Sequence, residues 1–488
     1  QGEQAKARPL LATAVALAQE SGETRLTADC LLSLGEVELY QGEKSAQDAF
    51  ADALARYRHC GDRRGEGAAL HSLGLFAHMH SDFGAGKQYF EEALRIHRAL
   101  EDRHLEAMTL LGLSGFYGKQ RHFAESDRYA QQARQLSRTI GYRIGEVQAL
   151  TGLGVNQMHQ GMAAAARTYF AEALLIAQES GYLRGEGALL NNLGNLASDD
   201  GEYAQAEAYY VAALAASRKS GDRYFTCARL HNLGNMRRFQ GDYVGAQAYY
   251  AEAVVMAAAI DDHWIEGSVH ADLALSCDFL SDPAAAEHHA ERALALARAV
   301  EDHWCAAKAQ ALLGWLAVKR GDEGGLSTIA EATALAQEHR ELGMAGATEA
   351  RYGFALLALA RAAEAVTAFE RSVALRRQMG DRVQICTALA GLAAALWAQG
   401  KQDAASAQVD EILDHVGDNP VGVADDPLRV YGTCYRILAA LGDRRATAWQ
   451  QRAWQHMAEQ AARIGDEAQR ARFRRYCAEE LGRLGTCG

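Results

Sequence analysis

Two stretches forty residues apart decide the fold: NNLGNLASDDGEYAQAEAYYVAAL at residues 191–214 and HNLGNMRRFQGDYVGAQAYYAEAV at residues 231–254. Each carries a Leu-Gly pair, then a glycine-acid turn, then Ala, Tyr and Ala at helical spacing. The same beat extends outward. Leu73, Leu113, Leu153, Leu193, Leu233, Leu273 and Leu313 follow one another at a constant step, with Leu34 before them and Leu392 after. Ala166, Ala206, Ala246 and Ala286 keep the phase, as do the aromatics Phe90, Phe170, Tyr210 and Tyr250. A fixed period of this length marks a repeat architecture, in which each unit is one supersecondary element.

Each unit reads as a helical hairpin. Leu189, Leu190, Leu193 and Leu196 recur on one face of the first helix. Gly194 lets a neighbouring helix approach closely. Gly201 and Gly241 end first helices where a left-handed residue costs least. In the second helix Ala206 and Ala213 are small sockets and Tyr210 is a large plug. Glu66, Glu106, Glu146, Glu186 and Glu266 recur in the first turn of a helix, where the dipole favours a carboxylate. Trp264 and Trp304, in the related turns DDHW and EDHW, are expected to pack between neighbouring hairpins. One hairpin cannot bury its own apolar stripe, so stacking must do so. The fold class is all-α: a right-handed α-solenoid of stacked helical hairpins with a C-terminal helical cap.

Composition agrees. The chain has 488 residues, with 50 Lys plus Arg against 62 Asp plus Glu, a formal charge of −12. That balance argues against a general nucleic-acid binder, which needs net cationic attraction to phosphate. Hydrophobic residues make up 49% and charged residues 23%, which excludes wholesale disorder. Only 4 prolines interrupt the sequence, as nearly continuous helix requires. No apolar run is long enough for a bilayer and no signal peptide is visible, so a cytoplasmic protein without membrane contact is expected. The nine cysteines show no CxxC spacing and are read as reduced thiols. The chain opens on Gln1, which reads as a boundary within a longer protein.

The pattern resembles the tetratricopeptide repeat, over about residues 1 to 415 and most clearly from 140 to 300. The long period is similar to the variant found in Pins-type polarity adaptors, kinesin light chains and the sensor arrays of bacterial signalling ATPases. The expected layout is about ten hairpins over 1–415, the first truncated, then a loop at 416–427 and a helical cap over 428–488. The text of that cap, with DDPLRVYGTCYRILAALGDRR, is similar to the closing segment of large bacterial regulators. The resemblance implies an ATPase or effector module preceding this array in the parent chain.

It also implies that first helices line a concave groove. Residues flanking Leu-Gly would face it: Asn191, Asn192, Asn195 and Asp199 in one repeat, His231, Asn232, Asn235 and Arg238 in the next. Asp272, Lys308 and Trp315 follow, with Leu275, Asp278 and Lys319 beside them. Asparagine on both sides of Leu-Gly matches the family's peptide-backbone clamp, because an amide donates and accepts at once. The Lys-Asn-Asn-Lys-Arg set that holds a terminal carboxylate is incomplete. No GxxxxGK[ST], HExxH or GxSxG motif occurs, and His78/His80 and His288/His289 lack the i, i+4 spacing of a helical metal pair. No catalytic residue, metal or cofactor is therefore assigned. The expectation is a non-catalytic protein- or peptide-binding sensor array, with a passive scaffold or a small-molecule sensor as alternatives.

Overall fold

A computed structural model describes residues 2–40, 43–200, 202–381, 384–416 and 426–482. The turn at Gly201, nearly all of the expected 416–427 loop and Cys487 lie outside the described residues. Among the described residues there are 24 helices and no strand.

The chain divides into two compact units, residues 1–226 and 227–488. The first holds α1 (Gly2–Glu20), α2 (Thr24–Tyr40), α3 (Ser45–Cys60), α4 (Arg63–Met79), α5 (Phe83–Ala99), α6 (Arg103–Lys119), α7 (Phe123–Thr139), α8 (Arg143–His159), α9 (Ala163–Ser180), α10 (Leu183–Asp199) and α11 (Tyr203–Ser220). Then follow α12 (Arg223–Phe239), α13 (Tyr243–Ala259), α14 (His263–Phe279), α15 (Pro283–Ala299), α16 (His303–Lys319), α17 (Gly325–Glu338), α18 (Leu342–Ala358), α19 (Ala362–Met379), α20 (Ile385–Ala398) and α21 (Gln402–Val416). The chain closes with α22 (Pro427–Ala440), α23 (Ala446–Arg463) and α24 (Glu467–Gly482). Within the first unit α4 packs on α5, α6 on α7, α8 on α9 and α10 on α11; within the second, α14 packs on α15, α16 on α17, α18 on α19 and α20 on α21. First helices adjoin as well, α14 with α16, α16 with α18 and α18 with α20. This is the all-α solenoid of stacked hairpins that the periodicity implies.

The turns set the beat. Gly61, Gly141, Gly161, Gly181, Gly221 and Gly241 all have positive φ, and so do Ser81, Glu101, Asp261, Ser281, Glu301 and Ala360. A left-handed residue reverses the chain and lets the next amide reach back, as Asp62 N donates to Tyr57 O at 2.9 Å. Where the residue after it is an aspartate, its side chain caps the following helix. Asp62 Oδ1 accepts from Gly65 N at 3.0 Å, and Asp262 and Asp302 do the same for Ile265 and Cys305.

The Leu-Gly glycine seats the aromatic plug of its own hairpin. A β-carbon on Gly194 would stand 2.8 Å from the Tyr210 ring, and one on Gly234 2.3 Å from the Tyr250 ring. The space left by the missing side chain is therefore filled by a ring, rather than by a neighbouring helix backbone. Ala206 and Ala213 flank Tyr210 and are fully buried.

The first-turn glutamates do more than meet a dipole. Glu66 is buried and paired with both Arg58 and Arg63, Glu106 with Arg98 and Arg103, and Glu266 with Arg292. Each Arg58-type contact ties the end of a second helix to the start of the next first helix.

The two tryptophans depart from expectation. Trp264 is 55% exposed and Trp304 39% exposed. Because Asp262 and Asp302 are the caps, it is Ile265 and Cys305 that turn inward. The Trp residues one place earlier fall on the solvent side.

In the second unit α22 packs on α20, and α23 packs on α22 and reaches back to α13. There Gln460 Nε2 donates to Gln240 O at 3.4 Å, and His456 and Gln460 lie against Gly241. Tyr243, Tyr431, Trp449 and Phe473 share one core with α17 to α21.

Candidate functional site

In the first unit the expected groove residues lie on α10. Asn191, Asn192 and Asn195 are half-buried and Asp199 is exposed. Asn195 Oδ1 accepts from the Tyr210 hydroxyl at 2.7 Å. Its carbonyl is thus engaged inside the hairpin, which turns the side chain toward Tyr210. Further along the first helices, Thr109 Oγ1 lies 3.0 Å from His97 Nδ1 and 3.3 Å from His71 Nδ1. Burial lowers the His71 imidazole to about 4.

In the second unit four expected residues converge from three first helices. Asp272 on α14 lies 2.9 Å from His231 Nε2, 2.7 Å from Lys308 Nζ and 3.5 Å from Arg238 Nε. Burial by itself would raise the Asp272 carboxyl. Lys308, the His231 hydrogen bond and Arg238 outweigh it and hold the group well below the usual carboxylate range. Asn235 belongs to the same neighbourhood, since its Oδ1 accepts from the Tyr250 hydroxyl at 2.8 Å. Asn232 is half-buried beside it in sequence. Lys308 Nζ also stands 4.9 Å from the Trp304 ring centre.

Trp315 joins a second group. Its Nε1 donates to Asp278 Oδ2 at 3.1 Å, and Lys319 Nζ donates to Asp278 Oδ1 at 2.7 Å. The Arg429 guanidinium carbon lies 5.5 Å from the Trp315 ring centre and 4.1 Å from that of Phe354. Asp278, Trp315, Phe354 and Arg429 line one cavity together with Leu275. Arg429 comes from the cap, and nothing in the repeat phase pointed to it. Phe354 had a signal: it follows Tyr352-Gly353, as Trp315 follows Leu313-Gly314 and Asn235 follows Leu233-Gly234.

The histidine pairs take separate partners. His80 stacks on Phe76 at 4.0 Å, and His289 Nδ1 lies 3.0 Å from His270 Nδ1. Among the described residues no group of three or more His, Cys, Asp or Glu is placed to hold a metal ion. Cys227, Cys277 and Cys305 are buried thiols without disulfides, and burial pushes each up to about 12. Among the described residues no helix is long and apolar enough to cross a membrane.

Residues 146–219 and 224–299 match the tetratricopeptide repeat family model. Those residues form a tetratricopeptide repeat array. No curated protein matches the chain's sequence. Among solved structures the array is similar to the apo form of the quorum sensor NprR from B. thuringiensis, at 13% identity and a TM-score of 0.52, covering 74% of this chain and 99% of that one. It is also similar to aspartyl phosphate phosphatase F from Bacillus subtilis, at 12% identity and a TM-score of 0.51, covering 74% and 92%. A third likeness is to a signal transduction ATPase with numerous domains and a tetratricopeptide repeat sensor, from Pyrococcus horikoshii. Identity there is 15% and the TM-score 0.48, covering 67% of the array and 52% of that chain. At these identities the likeness is one of fold.

Proposed function

We propose that the array is a non-catalytic, cytoplasmic peptide- or protein-binding module, and the ligand-sensing part of a larger bacterial signalling ATPase or transcriptional regulator. The binding surface is the shared face of the first helices within each unit. One observation carries this reading. In the second unit the residue after each Leu-Gly-type pair (Leu275, Trp315, Phe354) lines a common recess with Asp278. A face that is recessed, aromatic and partly charged suits a ligand better than it suits solvent. Asn192, Asn195, Asn232 and Asn235 carry amides of the kind that can meet a peptide backbone. Resemblance of the cap text to regulator C-termini supports the parent context.

The test is a selection of random phage-displayed 12-residue peptides on the full chain. Selected peptides should lose about tenfold or more in affinity for Asn192→Ala and Asn232→Ala, as expected for one or two lost hydrogen bonds at a desolvated site. Val255→Ser, on a second-helix side chain that is 72% exposed, should leave binding intact. Peptides that ignore both asparagine variants, or that fail with Val255→Ser, would place the binding surface elsewhere.

A further inference from the structure

In residues 1–226 a cavity of about 190 Å³ lies where the starts of α3 and α5 flank the end of α4. Its floor is apolar: Leu73, Phe76 and Ala77 are buried, with Tyr89 half-buried beside them. Lys44, at the head of α3, and Asp82, at the head of α5, line it together. Both are exposed, and neither pairs with a charged side chain among the described residues. Asp82 Oδ1 accepts from Ala85 N at 3.1 Å as the helix cap, which leaves its second oxygen to other donors. His80 completes the titratable lining; its ring stacks on Phe76 and its Nδ1 lies 3.0 Å from Phe76 O.

The next three hairpins close the corresponding place with their own side chains. Counting by the repeat, Ala77 corresponds to Tyr117, Gln157 and Ala197, and Tyr89 to Tyr129, Tyr169 and Tyr209. Tyr117 stacks on Tyr129, with ring centres 5.5 Å apart and planes within 12°. Gln157 Nε2 donates to Asp127 Oδ2 at 3.4 Å, across to the preceding second helix. Where alanine returns, at Ala197, Arg167 on that preceding helix pairs with Asp200 and Glu202 instead. Glu202 is the counterpart of Asp82, and Arg167 that of Gln47, which lines the cavity. In the Ala77 hairpin neither a ring nor an ion pair crosses the gap among the described residues, and the cavity stands open.

We propose that this cavity binds a free aromatic α-amino acid. Its ring lies against Tyr89, in the place that Tyr117 takes one repeat further on. Its carboxylate meets Lys44, and its ammonium meets the second oxygen of Asp82. An apolar cavity of about 150 Å³ holds benzene. A space of about 190 Å³ therefore takes one ring and keeps the charged head at the mouth, where Lys44 and Asp82 are exposed. Such a ligand ties the starts of α3 and α5 to the end of α4. None of the asparagines of the proposed peptide face lines this cavity, so this inference and the peptide reading fail separately.

The experiment uses the full chain and isothermal titration, with circular dichroism to confirm the fold of each variant. The probes are phenylalanine, tyrosine and tryptophan. Their controls are 3-phenylpropionate, phenethylamine and alanine, which lack the ammonium, the carboxylate and the ring in turn. At least one aromatic amino acid should bind, and each control should bind about tenfold or more weakly, as befits a lost charge-assisted contact or a lost stacked ring. Ala77→Tyr reproduces the neighbouring hairpin and should abolish binding. Lys44→Gln, at an exposed position, should lose about tenfold for the amino acid and nothing for phenethylamine. Asp82→Asn still caps α5 and should lose affinity for the amino acid but not for 3-phenylpropionate. The proposal is overturned if no aromatic amino acid binds, or if a control or an Ala-Phe-Ala peptide blocked at both ends binds as tightly. It is equally overturned if Lys44→Gln and Asp82→Asn bind as the parent does.

Discussion

The hydroxyl of Tyr250 donates to Asn235 Oδ1 across 2.8 Å within a single hairpin, and Tyr210 does the same to Asn195 at 2.7 Å. Where the plug is Phe90, Phe170 or Phe369, the slot after the glycine holds Leu75, Val155 or Phe354, with no amide. The asparagine therefore follows the hydroxyl, because a buried phenol needs an acceptor. Tyr250→Phe is expected to cost about 1 kcal/mol, and Asn235→Ala more than that, since it strands the hydroxyl. The double variant Tyr250→Phe/Asn235→Ala should cost less than the sum of the two single changes. Urea unfolding followed by circular dichroism measures all three. Strict additivity would mean the pair is not coupled.

How much of this was legible in the sequence depends on which residue is asked. The period, the plug and the capping aspartates were open to reading, because Leu193, Tyr210 and Asp262 each recur with a fixed chemical task. Asn195 and Asn235 were equally visible, but their slot serves two purposes. Family resemblance pointed to ligand contact, while the sequence partner fifteen residues on pointed inward. His231, Arg238, Asp272 and Lys308 were placed on one face, but their convergence on a single carboxylate depends on the stagger between first helices. Arg429 was beyond reach, because it sits in the cap outside the repeat phase. Trp264 was misjudged because a shift of one residue at a helix start carries a side chain from core to solvent.

Several turns hold a side chain where the backbone prefers none. Glu301 has φ of 55° and Ala360 of 59°, in the position that Gly221 and Gly380 fill elsewhere. A left-handed residue with a β-carbon costs about 1 kcal/mol relative to glycine there. Glu301→Gly and Ala360→Gly should each stabilise the array by up to about 1 kcal/mol, less the entropy that glycine adds to the unfolded chain. Gly221→Ala should act in the opposite sense. Thermal midpoints that fall for both glycine variants would show that the turn is held by something other than backbone preference.

Two helical glycines separate packing from propensity. A β-carbon on Gly234 would meet the Tyr250 ring at 2.3 Å, whereas one on Gly115 would meet nothing within 4 Å. Gly115→Ala is expected to gain about 0.5–1 kcal/mol, the ordinary helix preference for alanine. Gly234→Ala must displace a ring that is itself fully buried, and should lose about 1–3 kcal/mol through overpacking. Adding Tyr250→Ala to Gly234→Ala should recover part of the overpacking loss, so that the double variant costs less than the sum of the single changes, a coupling of the same sign as in the Tyr250–Asn235 pair.

Acid should weaken the array in two stages. Burial lowers His71, His270 and His456 to about 4, helped at His71 by His97 and at His270 by His289. Their unfolded counterparts titrate near 6.5. Between these values the unfolded chain binds more protons than the folded one, so stability falls as pH falls from about 6.5 towards 4. The upper limit is about 1.4 kcal/mol per pH unit for each histidine. Asp272 acts lower down. Its folded carboxyl is held below the unfolded value, so its contribution is complete above about pH 4 and is lost as pH drops further. The thermal midpoint should therefore be level from pH 8 to 7, decline below about 6.5, and go on declining below 4 but less steeply, as the three histidine contributions end and that of Asp272 takes over. His456 lies against Gly241 and 6.0 Å from the Tyr431 ring, with Glu459 and Arg463 as its charged neighbours. His456→Gln cannot take up the proton and should flatten the decline between pH 6.5 and 5, whatever it does to the midpoint at pH 8. A slope unchanged by that substitution would mean that the clasp between α23 and the α12–α13 turn opens before His456 titrates.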